Sequence, residues 1–238
     1  MSKKKQGKKS VKIDLARKAY QGIRQMLFYN DITPGQKIKY QDLANKIGVS
    51  ITPVIHALKW LEFKNIVRHE PNRGYFVNEV SLKEIKEIYD TRLLLEVSLV
   101  PEIVKNVDDL SLQKLKQAQI AYHDAVDGEN YYNRLTMDIK FHLHLASISQ
   151  SQIKLKMLQE LFDMLLLKYT RNLVLLGIMH SSLSEYDQIF QCLESKDTDS
   201  LEKALTTHLV NVRAHIIEGF NRMFVSRREE IVDLNTFP

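Results

Sequence analysis

Apolar residues recur at helical spacing from Ile13 through Leu15, Ala19, Ile23, Met26 and Leu27. This predicts a first helix that stops at Asn30, before a Thr33-Pro34-Gly35 turn. A short second helix is predicted over 40–47, with Leu43, Ala44 and Ile47 facing inward and Gly48 breaking it. Ser50 suits the N-cap of a third helix, and Pro53 falls early enough in it to be tolerated. That helix runs to about Phe63 and buries Val54, Ala57, Leu58 and Leu61. The period then changes. Ile66–His69 and Tyr75–Val77 read as short strands around a Pro-Asn-Arg-Gly turn, so three helices are followed by a hairpin. The arrangement is a winged helix-turn-helix with the hairpin as its wing.

Beyond Glu79 the pattern is helical to the end, with segments near 81–106, 109–127, 131–149, 152–178, 180–196 and 198–225. Pro101 should kink the first of these. Leu155, Leu158, Leu161, Phe162, Leu165 and Tyr169 form a broad apolar stripe, expected to be bundle core. The expected fold is mainly α. A flexible basic tail (1–12) and a winged head (13–78) precede an all-helical domain (79–226) and a C-terminal tail (227–238).

Charge divides the chain in the same place. Residues 1–78 hold 16 Lys and Arg against 5 Asp and Glu, a net of +11, whereas the remainder holds 18 against 24, a net of −6. A basic front suits a polyanionic partner, and the acidic back has another task. Cys192 is the single cysteine of 238 residues, which excludes an internal disulfide or a CxxC metal site and fits a reducing cytosol. The longest apolar run, Leu173 to Met179, has seven residues, far short of the roughly 18 needed to span a bilayer. A cytoplasmic protein without a membrane segment is expected.

The front half resembles the DNA-binding domain of the GntR family of bacterial regulators. The resemblance rests on "IRQMLFYNDITPGQKI", "QDLANKIGVSITPVIHALKWLE" and "NRGYFV". The back half resembles the all-helical FCD effector domain of the FadR-like subfamily through "IYDTRLLLE" (88–96), "DIKFH" (138–142), "SEYDQIFQCLESKD" (184–197) and "ALTTHL" (204–209). The resemblance implies that the third helix lies in the major groove and the wing approaches the minor groove. Family members commonly carry Arg where this chain has Ile51 and Ile55, and Glu where it has His56. Isoleucine donates no hydrogen bond but can meet a thymine methyl, so an operator richer in A·T is expected. Ser50, Thr52, His56 and Lys59 on the third helix, Arg73 and Gly74 at the wing, and Lys37, Lys39 and Gln41 near the second helix are the remaining candidate DNA contacts.

Asp138 and His142 are four residues apart on one predicted helix, so a carboxylate and an imidazole share a face and can chelate one divalent ion. The resemblance implies two further histidines. His208 matches one of them, but the other position is Tyr186. A neutral phenol is a poor ligand for zinc, nickel or manganese. Three readings stay open: a metal held by Asp138, His142 and His208, with water or an effector oxygen completing it; a metal-free pocket donating hydrogen bonds directly to an effector; or a buried polar network. Effectors of the subfamily are mostly small organic acids, and Arg92, Arg134 and Arg171, with Tyr186, are the candidate effector contacts. His123, His144 and His180 are read as structural.

Together these features predict a homodimeric transcription regulator, a repressor in most of the subfamily. It would bind double-stranded DNA at a pseudo-palindromic operator and be controlled by a small organic acid. The alternatives are an effector-independent DNA-binding dimer with a vestigial pocket, and a metal-dependent enzyme built on the helical bundle. The attached DNA-binding domain and the lack of a separate base or nucleophile weigh against the enzyme.

Overall fold

The computed structural model describes residues 2–79, 81–128, 130–169 and 183–234. The chain divides into two compact units. One comprises Met1–Val80 together with Asp163–Arg171; the other comprises Ser81–Phe162 and Asn172–Pro238.

The first unit is built from α1 (Ser2–Phe28), α2 (Tyr40–Ile47), α3 (Ile51–Phe63), β1 (Val67–Glu70) and β2 (Gly74–Val77). α1 buries Ala16, Ala19, Ile23 and Leu27, while Leu15 stays on the outside. The stripe is therefore rotated slightly from the expected one. No break separates the lysine-rich residues from α1. The helix begins at Ser2, so the residues expected to form a flexible tail are helical from Ser2 onward, a state for which lysine has a good propensity. Gly48 ends α2 in the left-handed region (φ 71°), its N–H returning to the Ala44 carbonyl. Ser50 occupies the N-cap of α3 with extended backbone, but its side chain makes no capping hydrogen bond. Val54, Ala57, Leu58 and Leu61 close the core against α1, together with Ile66, Val67, Tyr75 and Val77.

The wing is an antiparallel pair in the register Val67↔Val77, Arg68↔Phe76, His69↔Tyr75, Glu70↔Gly74. Gly74 has φ 95°, and a Cβ there would lie 2.8 Å from the Tyr40 hydroxyl. The backbone conformation favours glycine, and a side chain there would also force the Tyr40 hydroxyl to shift. Gly74→Ala should lower head stability by about 1–3 kcal/mol, read as a shift in the denaturation midpoint.

The second unit contains α4 (Leu82–Val97), α5 (Val100–Asn106), α6 (Asp109–Asp127), α7 (Tyr131–Ile148) and α8 (Gln152–Met164). Two further helices, α9 (Leu183–Glu194) and α10 (Thr198–Leu234), complete it. The starts are specified locally. Ser81 accepts the Glu84 N–H, Asp108 and Ser111 form a reciprocal capping box, and Asn130 accepts the Asn133 N–H. Pro101 does not kink one long helix. The chain breaks at Ser98–Leu99 and the proline sits in the first turn of α5, where its missing N–H costs nothing. The tail expected over 227–238 is helical as far as Leu234. α6 packs on α7 and α9, and α10 packs on α4, α5 and α9. Asp138, His142, Tyr186 and His208 thereby come together from α7, α9 and α10.

α8 stops at Met164 and the chain continues as a π-helical turn, Leu165–Tyr169. The stripe expected to be one core serves both units. Leu158 and Phe162 are buried in the helical unit, whereas Leu167 belongs to the core of the head.

Candidate functional site

In the head, Ser50, Ile51, Thr52, His56 and Lys59 are exposed on or beside α3, and Ile55 is half-buried. Lys37 and Lys39 are exposed on either side of buried Ile38, and Lys37 bridges to Phe76 of the wing. The Gln41 amide donates to Asn45 at 2.9 Å. Arg73 projects from the wing turn, with its guanidinium 2.5 Å from Glu70 and 5.2 Å from the Phe76 ring centre. The exposed side of α3 also carries Trp60 and Phe63, the latter 93% accessible. Tyr20 meets Trp60 edge-on at 5.8 Å. Neither aromatic was singled out from the sequence, because an amphipathic pattern assigns such residues to the core by default.

In the helical unit the four expected residues converge. The Tyr186 hydroxyl donates to Asp138 Oδ1 and lies 3.3 Å from His142 Nε2. His142 Nε2 and His208 Nε2 face each other at 3.2 Å. The ligating atoms of Asp138, His142 and His208 all lie within 4.8 Å of one another, a spacing that can hold a metal ion.

Two carboxylates that sequence reading passed over fix the imidazoles. Glu96 Oε2 accepts from His142 Nδ1 at 2.6 Å, and its other oxygen takes Arg92 Nε at 3.0 Å. Glu185 Oε2 accepts from His208 Nδ1 at 2.9 Å and its other oxygen takes Asn211 at 2.6 Å. Glu96 ends the 88–96 segment and Glu185 precedes Tyr186, but only the fold pairs them with histidines. A carboxylate at Nδ1 assigns the proton to that nitrogen, leaving Nε2 as a lone pair. The two Nε2 atoms face each other across 3.2 Å with a carboxylate behind each ring. Carboxylate–histidine pairing of this kind is how metal-ligating histidines are held.

Protonation follows from burial and neighbours. Burial pushes His208 below its usual range and outweighs Glu185, keeping the ring neutral. Burial would raise Glu96, but its pairing with His142 and with the Arg92 guanidinium prevails and holds it at about 2. Hydrogen bonds from His208 lead the causes that lower Glu185. Burial and the Asp138 charge push Tyr186 well above the usual phenol value, so it remains a neutral donor. Tyr122 stacks on Tyr186 at 4.4 Å and Phe141 meets it edge-on at 4.4 Å, fixing the phenol in place.

The arginines have different surroundings. Arg92 is 2% exposed, with its guanidinium 4.4 Å from the Phe162 ring centre and 5.1 Å from that of Tyr89. Arg134 lies four residues before Asp138 on α7, and its Nε is buried with no hydrogen-bond partner among the described residues. Arg171 lies outside the described residues, as does His180. His123 Nε2 is 3.5 Å from Asp187, and His144 is exposed, so neither joins the cluster.

A basic winged head followed by a helical domain with a largely buried Asp/His/His cluster defines a class: DNA-binding regulators with a sensory domain. Comparison with known proteins agrees. Residues 15–77 match the bacterial regulatory proteins of the gntR family, and residues 87–211 match the FCD domain. The chain belongs to the GntR family and carries an FCD domain. It is 23% identical over 205 residues to the HTH-type transcriptional regulator YdhC of Bacillus subtilis, covering 83% of this chain and 88% of that one. It is 23% identical over 199 residues to the HTH-type transcriptional repressor RspR of Escherichia coli, covering 81% and 85%. The structure of Escherichia coli McbR/YncC shares the fold with a TM-score of 0.70 at 21% identity, over 90% of this chain and 98% of that one. The protein is thus a DNA-binding transcriptional regulator with an effector domain, and not an enzyme. Members of this family typically dimerise. No described helix is long and apolar enough to cross a membrane.

Proposed function

We propose that this regulator is a cytoplasmic, homodimeric repressor whose hold on a pseudo-palindromic operator is set by a divalent ion and a small organic acid bound in the helical domain. The observation that carries this reading is the pair of Nε2 atoms facing each other at 3.2 Å beside Asp138, each ring backed by a carboxylate at Nδ1. Asp138, His142 and His208 would hold the ion. Two imidazoles and one carboxylate suit zinc, nickel or manganese. The ion supplies a Lewis-acid seat for an effector oxygen. Glu96 and Glu185 fix the tautomers, and Arg92 fixes Glu96. Tyr186, neutral and bonded to Asp138, leaves the usual fourth ligand position to water or effector. Arg134 is the favoured partner for the effector carboxylate, because its Nε is buried one turn from Asp138 and has no partner among the described residues. In the head, Lys37, Lys39, Gln41, Arg73 and Gly74 position the duplex, and Ser50, Ile51, Thr52, Ile55, His56 and Lys59 face the major groove.

Titration of the chelator-treated full-length protein with Zn2+, followed calorimetrically, tests the site. One ion per chain is expected, with binding abolished in His208→Ala. Tyr186→His supplies the missing ligand and should tighten binding by about tenfold or more. A second reading, an organic-acid pocket without metal, draws on the Tyr186–Asp138 hydrogen bond, which closes the cluster without an ion. It predicts no saturable Zn2+ uptake, with acid binding that depends on Tyr186 and His208.

A further inference from the structure

Phe162 and Asp163 are consecutive residues of α8, and they belong to different units. Phe162 is 2% exposed and forms part of the wall of the polar cluster: its ring lies 4.4 Å from the Arg92 guanidinium and 6.0 Å from the His142 ring centre. Both neighbours contact Glu96, the carboxylate that orients His142. The Asp163 carboxylate accepts Arg24 of α1 through both oxygens, at 3.2 and 2.5 Å, and the Lys64 ammonium at 3.2 Å. Arg24 is one residue from buried Ile23, and Lys64 is the C-cap of α3, the helix that carries the candidate base-reading residues. One residue later the chain passes from Met164 into the π-helical turn, whose Leu167 is built into the head core.

A π turn carries one residue more than the α-helical register allows, and such turns occur frequently at functional sites. Its conversion to α-helix would rotate the residues on one side by about 100° relative to those on the other. The turn begins after Asp163 and itself carries Leu167 of the head core, whereas Phe162 and Asp163 adjoin in continuous α-helix. A rigid helical element of this kind can carry a displacement from one set of packed side chains to another.

We propose that Asp163 is the relay residue of this regulator: a change at the Asp138–His142–His208 cluster displaces Phe162, and Asp163 passes the displacement to α1 and the end of α3 through Arg24 and Lys64. The inference rests on the reading of that cluster as the regulatory chamber. Asp163 touches neither metal nor DNA; it acts by positioning.

The test is backbone amide exchange on the full-length protein, with Zn2+ as the probe and chelator as the reference. In the wild type, Zn2+ is expected to change exchange by about threefold or more in residues 138–142 and also in 20–28 and 60–66. Asp163→Asn removes the charge but keeps the size. It should leave the response at 138–142 intact and abolish the response at 20–28 and 60–66. A head response equal to that of the wild type in this variant overturns the relay, as does a wild-type head that ignores Zn2+ while 138–142 responds. If 138–142 itself ignores Zn2+, the metal reading fails and the relay is decided without metal. Phe162→Leu, which keeps an apolar side chain but vacates the ring contacts, should change exchange at 20–28, and should not do so when combined with Asp163→Asn. Unchanged exchange at 20–28 in Phe162→Leu overturns the relay.

Discussion

Replacing Glu96 with alanine should destabilise the protein by about 3–5 kcal/mol, the largest effect expected of any single substitution in the cluster. Arg92 and Glu96 are 2% and 3% exposed, and the guanidinium lies between aromatic rings where water cannot replace a lost carboxylate. Alanine leaves that charge buried and unpaired and removes the acceptor from His142 Nδ1. Glu96→Gln keeps the volume and one acceptor oxygen and should cost less, about 1–3 kcal/mol. Both variants should also weaken Zn2+ binding by about 10–100-fold, since the orienting carboxylate of a ligand histidine is worth that much. Urea denaturation followed by circular dichroism measures the first effect and calorimetry the second. A midpoint unmoved by Glu96→Ala would mean that the Arg92–Glu96–His142 chain carries no stabilising energy.

The second large effect is expected in the head. Ile51 and Ile55 stand where family members commonly place arginine, and an arginine on a guanine edge is worth about 1–3 kcal/mol of discrimination. The Ile51→Arg, Ile55→Arg double variant should shift the selected half-site from A·T-rich to guanine-containing, with a change in preference on the order of a hundredfold. Its binding should also become more salt-dependent, because each added phosphate contact steepens the salt dependence. Selection from a random duplex pool, run in parallel for both proteins, reads the outcome. Identical selected sequences would show that these positions do not face the bases.

The head was legible in the sequence because its information is local. Periodicity set α2 and α3, Gly48 ended α2, the Asn72–Gly74 turn joined the strands of the wing, and the fold follows with small shifts. Asp138 and His142 were legible for the same reason, being one helical turn apart, and His208 and Tyr186 only through family resemblance. The residues that complete the site were not legible. Glu96 meets His142 across 46 positions, a pairing that no spacing rule signals. The reach of Asp163 back to Arg24, across 139 positions, is equally silent in the sequence. The stripe from Leu155 to Tyr169 showed that this helix is apolar, but periodicity cannot tell that Phe162 serves one core and Leu167 another. Pro101 misled because a proline inside an apolar pattern fits either a kink or a helix start, and the break at Ser98–Leu99 decides for the start.

The central claim is that a basic winged head grips duplex DNA under control of an occupant of the Asp138–His142–His208 chamber. Fluorescence anisotropy of the full-length protein on duplex from its own promoter region tests it most directly. The titration is run in chelator, in Zn2+, and in Zn2+ with each of a panel of small hydroxy and dicarboxylic acids. Salt-sensitive binding is expected throughout, with at least one condition shifting Kd by about tenfold or more in the wild type and leaving His208→Ala unmoved. A Kd that is the same in every condition, or that shifts equally in wild type and His208→Ala, would contradict the account.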